Sequence, residues 1–515
     1  MVSKNTSVPF GYKKFKTYDW DVEVDIEKQK AKNEYDVVII GTGIGGLACG
    51  ALLSKKGYKV LLLEHHFQVG GFYGSFKRKG FIFNNAATEV TGLWDKGPFY
   101  LFLKELGLKK EDFFVTNSVK YISDSMAVGW QDIGEFKAYL SNLFPDEKNN
   151  LSAFLDDAEA ALEERFRDTG IHGVPLPPDL ITKVYGEQRL MAHMKECPHY
   201  YDWMGKTLKQ KLDEHFGQEE IKSLLGIMLN YASLDTDKIP AVLALRDYGF
   251  IRHGSFFPKG GAQKLANTIR DFIREHGGKV LLKRRVDKIL TEDGKVKGVR
   301  AGEDVFKASV VVSNSNAKTT FMDLVDRKDL DPQFVETIEA IKMSESVFMV
   351  FLGLDMDLSG FPTQIKSAGL GLVFNSNCDP DLAPMGRSSL TIIDLASYNE
   401  FPERGTKEYS RKKKEYADRM IKEAEHIIPR LSENIVVRDA ATPKTLERYT
   451  FMPEGAIDGP DVSTDTERPY FKTPIKGLYL AGASTYPGGG IELALWSGAI
   501  CANDICGWKE ELKLV

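Results

Sequence analysis

Three glycines and a glutamate near the start of the chain have the spacing that binds a diphosphate and a ribose. Gly41, Gly43 and Gly46 occupy the glycine positions of a GxGxxG turn, and Glu64 lies 23 positions after the first of them. Such a turn lets backbone N–H groups approach a pyrophosphate, and an acid about 20 residues further on accepts hydrogen bonds from ribose hydroxyls. The spacing therefore predicts a dinucleotide site that takes an unphosphorylated adenosine ribose.

The residues around this turn predict the strands and the helix that must hold it. The apolar run 37–40 is typical of a central parallel strand that is buried on both faces. Apolar residues at helical spacing continue to Gly57, which we expect to end the helix, and a second apolar run spans residues 60–63. The helix would begin at Ile44 and Gly45, so that its N-terminus, with its partial positive charge, faces the phosphates.

A second glycine turn lies near the C-terminus. The apolar run 478–480 predicts a short strand, and the glycines 488–490 precede apolar residues at helical spacing. A glycine turn that opens a helix can direct N–H groups at a pyrophosphate, or at the electron-rich pyrimidine edge of a flavin. The alternative interpretation is a glycine-rich connection that binds nothing.

Several stretches of the chain, in the expected order, are similar to one family of flavoproteins. The chain resembles the FAD-dependent family of phytoene desaturases, carotene cis-trans isomerases and retinol saturases, which belongs to the amine oxidase-like flavoprotein group. The segments that carry the resemblance are YDVVIIGTGIGG to EHHFQVGGFYGSF (35–76), LFPDEKNNLSAF (143–154), FFPKGGAQKLANTI (256–269), GGKVLLKRRVDKIL (277–290), VVVSNSNA (310–317), ATPKTLERY (441–449) and GLYLAGASTYPGGGIELALWSGAICANDI (477–505).

The resemblance implies a cofactor, a fold class and further binding residues. It implies that FAD is the cofactor. It also implies an α/β fold, in which a doubly wound FAD-binding domain of the glutathione reductase or amine oxidase type carries an inserted mixed α+β substrate domain. The residues that it assigns to FAD are His65, Gly70, Gly71 and Phe72 in the loop after the acid, Val286 at the adenine, Gly482 and Ala483 near the phosphates, and Gly490 and Ile491 near the isoalloxazine.

The order of apolar runs predicts a cofactor domain built from separated segments. Residues 280–299 predict an antiparallel ribbon, and the run 310–312 returns the chain to the nucleotide fold. The divisions that we predict are an N-terminal extension (1–34), a discontinuous FAD-binding domain (35–100, 258–320 and 471–515) and a substrate domain (101–257 and 321–470).

Composition and charge argue against several classes of protein. The chain has 68 Lys and Arg against 73 Asp and Glu, and this net charge of −5 gives no reason to expect nucleic-acid binding. The longest apolar stretches, such as 347–354, are much shorter than the roughly 18 residues of a spanning helix, and residues 1–34 do not read as a secretory signal. Five scattered cysteines without metal-ligand spacing predict buried thiols and no metal site. We expect a cytoplasmic protein.

Two carboxylates are candidates for acid–base chemistry beside a flavin. After Phe83 the family usually has an aspartate in FDxG form, which is missing here, and Glu89 is the next acid. Glu492 follows the glycines 488–490, where many relatives have an apolar residue. A carboxyl beside an apolar pocket has its pKa raised towards working pH. The alternatives are that Glu89 is a surface or ion-paired glutamate, and that Glu492 only satisfies a helix N-terminus.

The family resemblance implies desaturation, saturation or cis-trans isomerisation of carbon–carbon double bonds in a long apolar substrate such as a carotenoid or retinoid. No second complete GxGxxG follows the first, so we expect no dedicated nicotinamide domain, and a quinone, oxygen or another apolar acceptor would take the electrons. A redox-neutral isomerisation and nicotinamide binding at the flavin face are the alternatives. Aromatic-rich segments outside the cofactor domain are typical of core packing, or alternatively of an elongated apolar tunnel for the substrate. The family analogy implies peripheral membrane contact, through an amphipathic patch near residues 94–114. The alternatives are an amine oxidase-like flavoenzyme acting on a smaller substrate, and a flavin-bound carrier without turnover.

Overall fold

The computed structural model describes most of the chain after its first 33 residues. The described residues are 34–123, 126–129, 132–165, 186–229, 235–367, 369–463, 466 and 468–507. The predicted N-terminal extension, except for Glu34, therefore lies outside the described residues.

Helices and strands are numbered here in chain order. The strands are β1 (Glu34–Ile40), β2 (Val60–Leu63), β3 (Ser75–Arg78), β4 (Phe81–Asn84), β5 (Phe114–Thr116), β6 (Val119–Ser123), β7 (Met126–Gly129), β8 (Phe256–Pro258), β9 (Lys279–Leu281), β10 (Lys288–Glu292), β11 (Lys295–Ala301), β12 (Asp304–Ser313), β13 (Ser346–Leu354), β14 (Gln364–Ser367), β15 (Leu370–Phe374), β16 (Ser388–Ala396), β17 (Ile435–Ala441) and β18 (Leu478–Leu480). The α-helices are α1 (Ile44–Lys55), α2 (Pro98–Glu105), α3 (Ile133–Leu143), α4 (Lys148–Arg165), α5 (Glu187–Glu196), α6 (Pro198–Met204), α7 (Leu208–His215), α8 (Glu219–Met228), α9 (Ala241–His253), α10 (Ala262–Glu275), α11 (Pro332–Ala340), α12 (Asn375–Cys378), α13 (Lys407–Ala424), α14 (Pro443–Thr450) and α15 (Ile491–Ile505).

The first sheet carries the predicted nucleotide fold. Its strand order is β10-β11-β12-β1-β2-β9, with β18 paired to the end of β12. Strand β1 runs parallel to both of its neighbours, as predicted for residues 37–40. Its side chains alternate between two cores, because Val37 and Ile39 pack on the side of α1 while Val38 and Ile40 pack on the side of α11. Helices therefore cover both faces, which confirms the doubly wound α/β class.

The predicted antiparallel ribbon over residues 280–299 is only partly correct. Strands β10 and β11 form an antiparallel hairpin, but β9 runs parallel to β2 at the edge of the first sheet. The reason is that β9 follows helix α10, and a strand that returns after a helical crossover enters the sheet parallel to its neighbour.

Helices α1 and α15 cross in close contact and join the two ends of the chain. A side chain at Gly45 would place its Cβ 2.6 Å from the carbonyl oxygen of Ala494. A side chain at Gly498 would overlap the carbonyl oxygen of Gly45. Only glycine lets the two backbones approach so closely, and both predicted glycine turns are thereby brought to the same edge of the sheet.

The second sheet has the strand order β17-β13-β16-β15-β14-β6-β7. Every residue of β13 is buried, because helix α13 covers one face of the strand and the β3–β4 hairpin packs against the other. The side chains on the hairpin side include Val347, Met349 and Phe351. This apolar face is directed towards the carboxyl ends of the strands of the first sheet, where the cavity described below lies.

The segment predicted as an amphipathic patch, residues 94–114, turns many of its apolar side chains inward. Several apolar side chains of this segment are only 0–7% exposed and belong to the main hydrophobic core, namely Phe99, Phe102, Leu103, Leu106, Phe113 and Phe114. Helix α2 is amphipathic because its apolar side faces that core. Within the described part of the chain, no helix is both long and apolar enough to span a membrane.

Candidate functional site

A cavity of about 1300 Å³ opens between the two sheets. It exceeds the roughly 300–1,000 Å³ of ordinary small-molecule pockets, and so has room for a large cofactor together with a second molecule. Both glycine turns and the apolar face of β13 line it. The predicted binding residues that line the cavity are Gly41, Gly43, Ile44, Gly45, Glu64, His65, Gly70, Gly71, Phe72, Val286, Gly482, Ala483, Gly490 and Ile491.

The first glycine turn leaves backbone donors open to this cavity. Gly41 has φ +87°, which the turn requires, and a side chain at Gly46 would overlap the Gly41 carbonyl. The Gly46 amide donates to Asn314 Oδ1 at 2.9 Å. The amides of Gly43 and Gly45 make no hydrogen bond with another described residue, so they are available to an anion at the N-terminus of α1.

The second glycine pair folds back onto the first turn. Gly71, at φ +59°, lies so close that a Cβ there would be 3.4 Å from Gly43 Cα. The Gly70 amide donates to the Thr42 carbonyl at 2.9 Å. The loop after Glu64 thus forms the opposite wall of the groove that the α1 N-terminus opens.

Glu64 is buried at the end of β2 and accepts four hydrogen bonds from the protein. The amide and hydroxyl of Thr42 donate to Oε2 at 2.8 and 2.6 Å, and the His66 amide and the His65 ring Nδ1 donate to Oε1 at 2.8 and 2.9 Å. Burial alone would raise the pKa of Glu64, but these hydrogen bonds outweigh it and hold the pKa at about 2. Glu64 is therefore ionised at neutral pH.

The C-terminal turn uses one of its predicted donors internally. The Gly482 amide donates to Ser497 Oγ at 2.6 Å, and Ser497 Oγ donates to the Ala494 carbonyl at 2.7 Å. The Ala483 amide has no such partner among the described residues. Gly490, at φ +86°, directly precedes α15, whose first-turn residues line the cavity.

Glu492 is a buried carboxyl in the first turn of α15. It is 5% exposed, lines the cavity and makes no hydrogen bond with another described residue. Burial raises the pKa of Glu492 to about 7, although the positive charges of Arg165 and Arg246 act in the opposite direction. A carboxyl that is about half protonated near neutral pH can both donate and accept a proton.

Glu89 lines the same cavity but is engaged with a cation. Its Oε2 lies 2.8 Å from Lys366 Nζ, and Lys366 Nζ is 3.4 Å from the hydroxyl of Tyr121. The side chain of Glu89 is 6% exposed. The sequence left Glu89 as either an acid or base beside the flavin or a surface or ion-paired glutamate, and in the structure it forms an ion pair.

Arg246 is a cavity residue that the sequence analysis missed. It projects from α9, and its NH1 would lie 3.3 Å from a Cβ at Gly490, so the guanidinium stands at the N-terminus of α15. Burial lowers the pKa of Arg246, but the charges of Asp247 and Asp458 outweigh it and raise the pKa above its ordinary value. Nothing in the sequence separates Arg246 from other helical arginines.

Asn314 was missed too, although a signal was present: it directly follows β12, at the carboxyl end where ligands bind in such sheets. Among the described residues, no group of three or more His, Cys, Asp or Glu side chains is placed to hold a metal ion.

The two-sheet architecture and the two glycine turns that share one cavity define a flavoprotein of the amine oxidase type. The chain belongs to the family of flavin containing amine oxidoreductases, whose model matches residues 44–506. It is an FAD-dependent oxidoreductase. The fit of FAD is supported by open amides at both turns, by glycines whose Cβ atoms would block the groove, and by two buried ring nitrogens without partners, His65 Nε2 and His66 Nε2.

Named relatives and solved structures share nearly the whole chain. Prolycopene isomerase from Daucus carota is 27% identical over 504 residues, covering 92% of this chain and 80% of the isomerase. The 4,4'-diaponeurosporene oxygenase of Staphylococcus aureus is 24% identical over 507 residues, covering 91% of this chain and 97% of the oxygenase. The crystal structure of an oxidoreductase from Methanosarcina mazei matches with a TM-score of 0.63 at 17% identity, over 90% of this chain and 99% of that one.

Substitution of Gly43 by valine should weaken FAD binding about ten- to a hundredfold. The new Cβ would stand 2.7 Å from Asn314 Nδ2 and displace the amides that the turn offers to the pyrophosphate. A charge-assisted hydrogen bond is worth about 1.5–3 kcal/mol. Fluorescence titration of the apoprotein with FAD measures the loss. Gly360→Val is the control, since no atom lies within 4 Å of a Cβ there. If Gly43→Val bound FAD as tightly as wild type, the prediction that the pyrophosphate binds at this turn would be contradicted.

Proposed function

We propose that this oxidoreductase acts on carbon–carbon double bonds of a long apolar polyene, by desaturation, saturation or cis-trans isomerisation. The observation that carries the proposal is the continuity of the cavity. Past the glycine turns, its wall is the apolar face formed by Phe76, Val347, Met349, Phe351 and Ile393. A polyene has no polar group to anchor, so buried area alone must hold it, at about 25 cal/mol per Å².

Each end of the cavity has its own task in this proposal. The amides of Gly43, Gly45 and Ala483 would hold the pyrophosphate, Val286 would bind the adenine, and the N-terminus of α15 would lie at the isoalloxazine, all of them residues that line the cavity. The Val286 amide makes no hydrogen bond within the described part of the chain, which leaves it available to the base. FAD, when bound, supplies the two-electron redox chemistry.

Glu492 holds the proton that the reaction needs. In desaturation, the substrate would lose a hydride equivalent and a proton from neighbouring carbons, and a Glu492 carboxylate oxygen would take the proton. In saturation, the same two transfers run in the reverse direction. In isomerisation, the hydride equivalent and the proton are returned to the substrate after they have been removed. The surrounding apolar wall keeps water away from the reacting carbons, and the Arg246 guanidinium places positive charge beside the N-terminus of α15.

The names of the relatives support this substrate class. The isomerase and the oxygenase are named for prolycopene and 4,4'-diaponeurosporene.

We propose further that the cofactor domain comprises 35–100, 258–320 and 471–515, that the substrate domain comprises 101–257 and 321–470, and that a quinone or oxygen takes the electrons. The strands of the first sheet all lie in the proposed cofactor domain, apart from Glu34 at the start of β1. The strands of the second sheet all lie in the proposed substrate domain. We place the protein in the cytoplasm and at a membrane surface, where an apolar substrate resides.

A chain-length series of polyenes should bind with affinity that rises with length and changes little with salt. The reason is that each added unit buries more apolar area, whereas no ion pair contributes. Anaerobic titration of the flavin spectrum of the purified holoprotein measures this, followed by mixing of the reduced protein with polyenes, quinones and oxygen. A matched series of saturated amines serves as the comparison.

Two results would contradict the proposal in different ways. Tighter binding of a charged amine, with no dependence on polyene length, would assign the site to amine oxidation. A flavin that neither polyenes nor any acceptor can reoxidise would assign the protein to a carrier without turnover.

A further inference from the structure

The guanidinium of Arg246 is mostly buried, yet most of its donors have no partner. Its side chain is only 15% exposed, and its Nε lies 3.5 Å from Asp247 Oδ1. The two terminal nitrogens make no hydrogen bond with another residue in the described part of the chain. A buried donor without a partner costs stability, and more so when it is charged, unless a ligand meets it. The fork of Arg246 is therefore open to a bound molecule.

A neighbouring arginine shows what a purely structural role requires. Arg468 donates to the backbone carbonyls of Asp458, Pro460 and Ala483, so its guanidinium ties two loops together. Among the described residues Arg246 has no such set of carbonyls, although the charge of Asp458 acts on both arginines. Packing of the protein alone therefore does not account for the terminal nitrogens of Arg246.

The open fork stands at the N-terminus of α15. Its NH1 is 3.3 Å from the position that a Cβ at Gly490 would take, and both residues line the cavity. A side chain at Gly490 would therefore displace the guanidinium. The first amides of a helix have no partner within the helix, and they carry partial positive charge. The guanidinium and the first turn of α15 thus place positive charge at the same part of the cavity.

The pyrimidine edge of a flavin matches this arrangement. Its N1 and its C2 carbonyl are neighbouring acceptors, which suits the parallel donors of a guanidinium. Reduction adds negative charge at this edge, so a fixed positive charge there stabilises the reduced ring more than the neutral oxidised ring. Burial lowers the pKa of Arg246, but Asp247 and Asp458 outweigh it and keep the guanidinium charged.

We infer that Arg246 binds the pyrimidine edge of the isoalloxazine and raises the two-electron reduction potential of the bound FAD. The inference rests on the part of the proposed function that puts the isoalloxazine at the N-terminus of α15, and it does not depend on the polyene. The potential is measured without any substrate. Its failure would therefore be distinguishable from a failure of the polyene titration.

The test is the two-electron reduction potential of the holoprotein and its variants. We expect Arg246→Gln to bind reduced FAD about ten- to a hundredfold less tightly relative to oxidised FAD, the range for one charge-assisted hydrogen bond. The potential should then fall by about 30–60 mV, at about 30 mV for each factor of ten. Arg246→Lys keeps the positive charge and should retain most of the wild-type potential.

The pH of the measurement and a matched variant remove two other causes of a shift. Burial raises the pKa of Glu492 to about 7, so at about pH 6 this carboxyl is mostly protonated with or without Arg246. Arg252→Gln is the control, because Arg252 lies on the same helix, α9, but pairs with Glu159 and does not line the cavity. Its potential should equal that of wild type.

Three results would overturn the inference. The first is an Arg246→Gln holoprotein with the wild-type potential. The second is an Arg246→Lys potential as low as that of Arg246→Gln, because the effect would then not follow the charge. The third needs no variant and applies even if Arg246→Gln does not fold: a wild-type potential at or below that of free FAD.

Discussion

We expect the Glu492→Gln variant to exchange hydrogen with a polyene about 10²- to 10⁴-fold more slowly, the range for loss of a general acid or base. FAD content should stay unchanged, because glutamine preserves the shape of the side chain and Glu492 makes no hydrogen bond that holds α15. Stopped-flow measurement of the reductive and oxidative half-reactions separates the two effects.

The raised pKa of Glu492 determines the direction in which the rate changes with pH. The pKa of Glu492, about 7, lies above that of an ordinary glutamate, so the carboxyl is mostly protonated below pH 7 and mostly ionised above. A rate that needs its proton therefore falls as pH rises through about 7, and a rate that needs the carboxylate rises there. In either direction, Glu492→Gln should remove the limb near pH 7.

A result with Glu89, the second candidate acid, would contradict the prediction that Glu492 carries the proton. If Glu89→Gln and not Glu492→Gln abolishes that limb, the proton belongs to Glu89 and its ion pair with Lys366 must open during turnover. Glu105→Gln serves as a control, since Glu105 pairs with Lys55 and does not line the cavity.

Replacing Gly498 by alanine should destabilise the fold by about 3 kcal/mol, the upper end of the range for overpacking. The added methyl would overlap the carbonyl of Gly45, and backbone atoms of two packed helices cannot rotate away as a side chain can. The effect should exceed the gain of about 1 kcal/mol that alanine has over glycine inside a helix. Urea unfolding measures the change, and release of FAD should begin at a lower urea concentration.

Gly205→Ala is the control for this substitution. Gly205 ends α6 at φ −85°, and the nearest atom to a Cβ there is 3.5 Å away. Gly498→Ala with wild-type stability would mean that α1 and α15 can move apart without cost.

The sequence was informative where one local pattern forces one local structure. The run 37–40 with GTGIGG behind it predicted β1, the turn and α1, because a continuous apolar run and glycine spacing act over only a few residues. The C-terminal turn was predicted for the same reason. Glu492 could be singled out because an acid there stands in a sequence that is otherwise glycine and apolar.

Contacts between distant residues could not be predicted in this way. Glu89 and Lys366 are 277 positions apart, and Gly46 and Asn314 are 268 apart. The donor of Gly482 is taken by Ser497, a partner that only the packing of α15 against β18 reveals. The edge position of β9 likewise depends on the crossover through α10, which a hairpin pattern cannot distinguish.

The crossing of α1 with α15 affects how the protein folds while it is synthesised on the ribosome. The helix that follows the first glycine turn has its partner in residues 491–505, and β12 stands between β1 and β18 in the same sheet. A nascent chain thus carries an uncovered apolar helix until residues 491–505 have been synthesised, and such surface invites aggregation or chaperone binding. The complete FAD site can form only after residues 491–505 have been synthesised, so loading of the cofactor follows synthesis of both glycine turns.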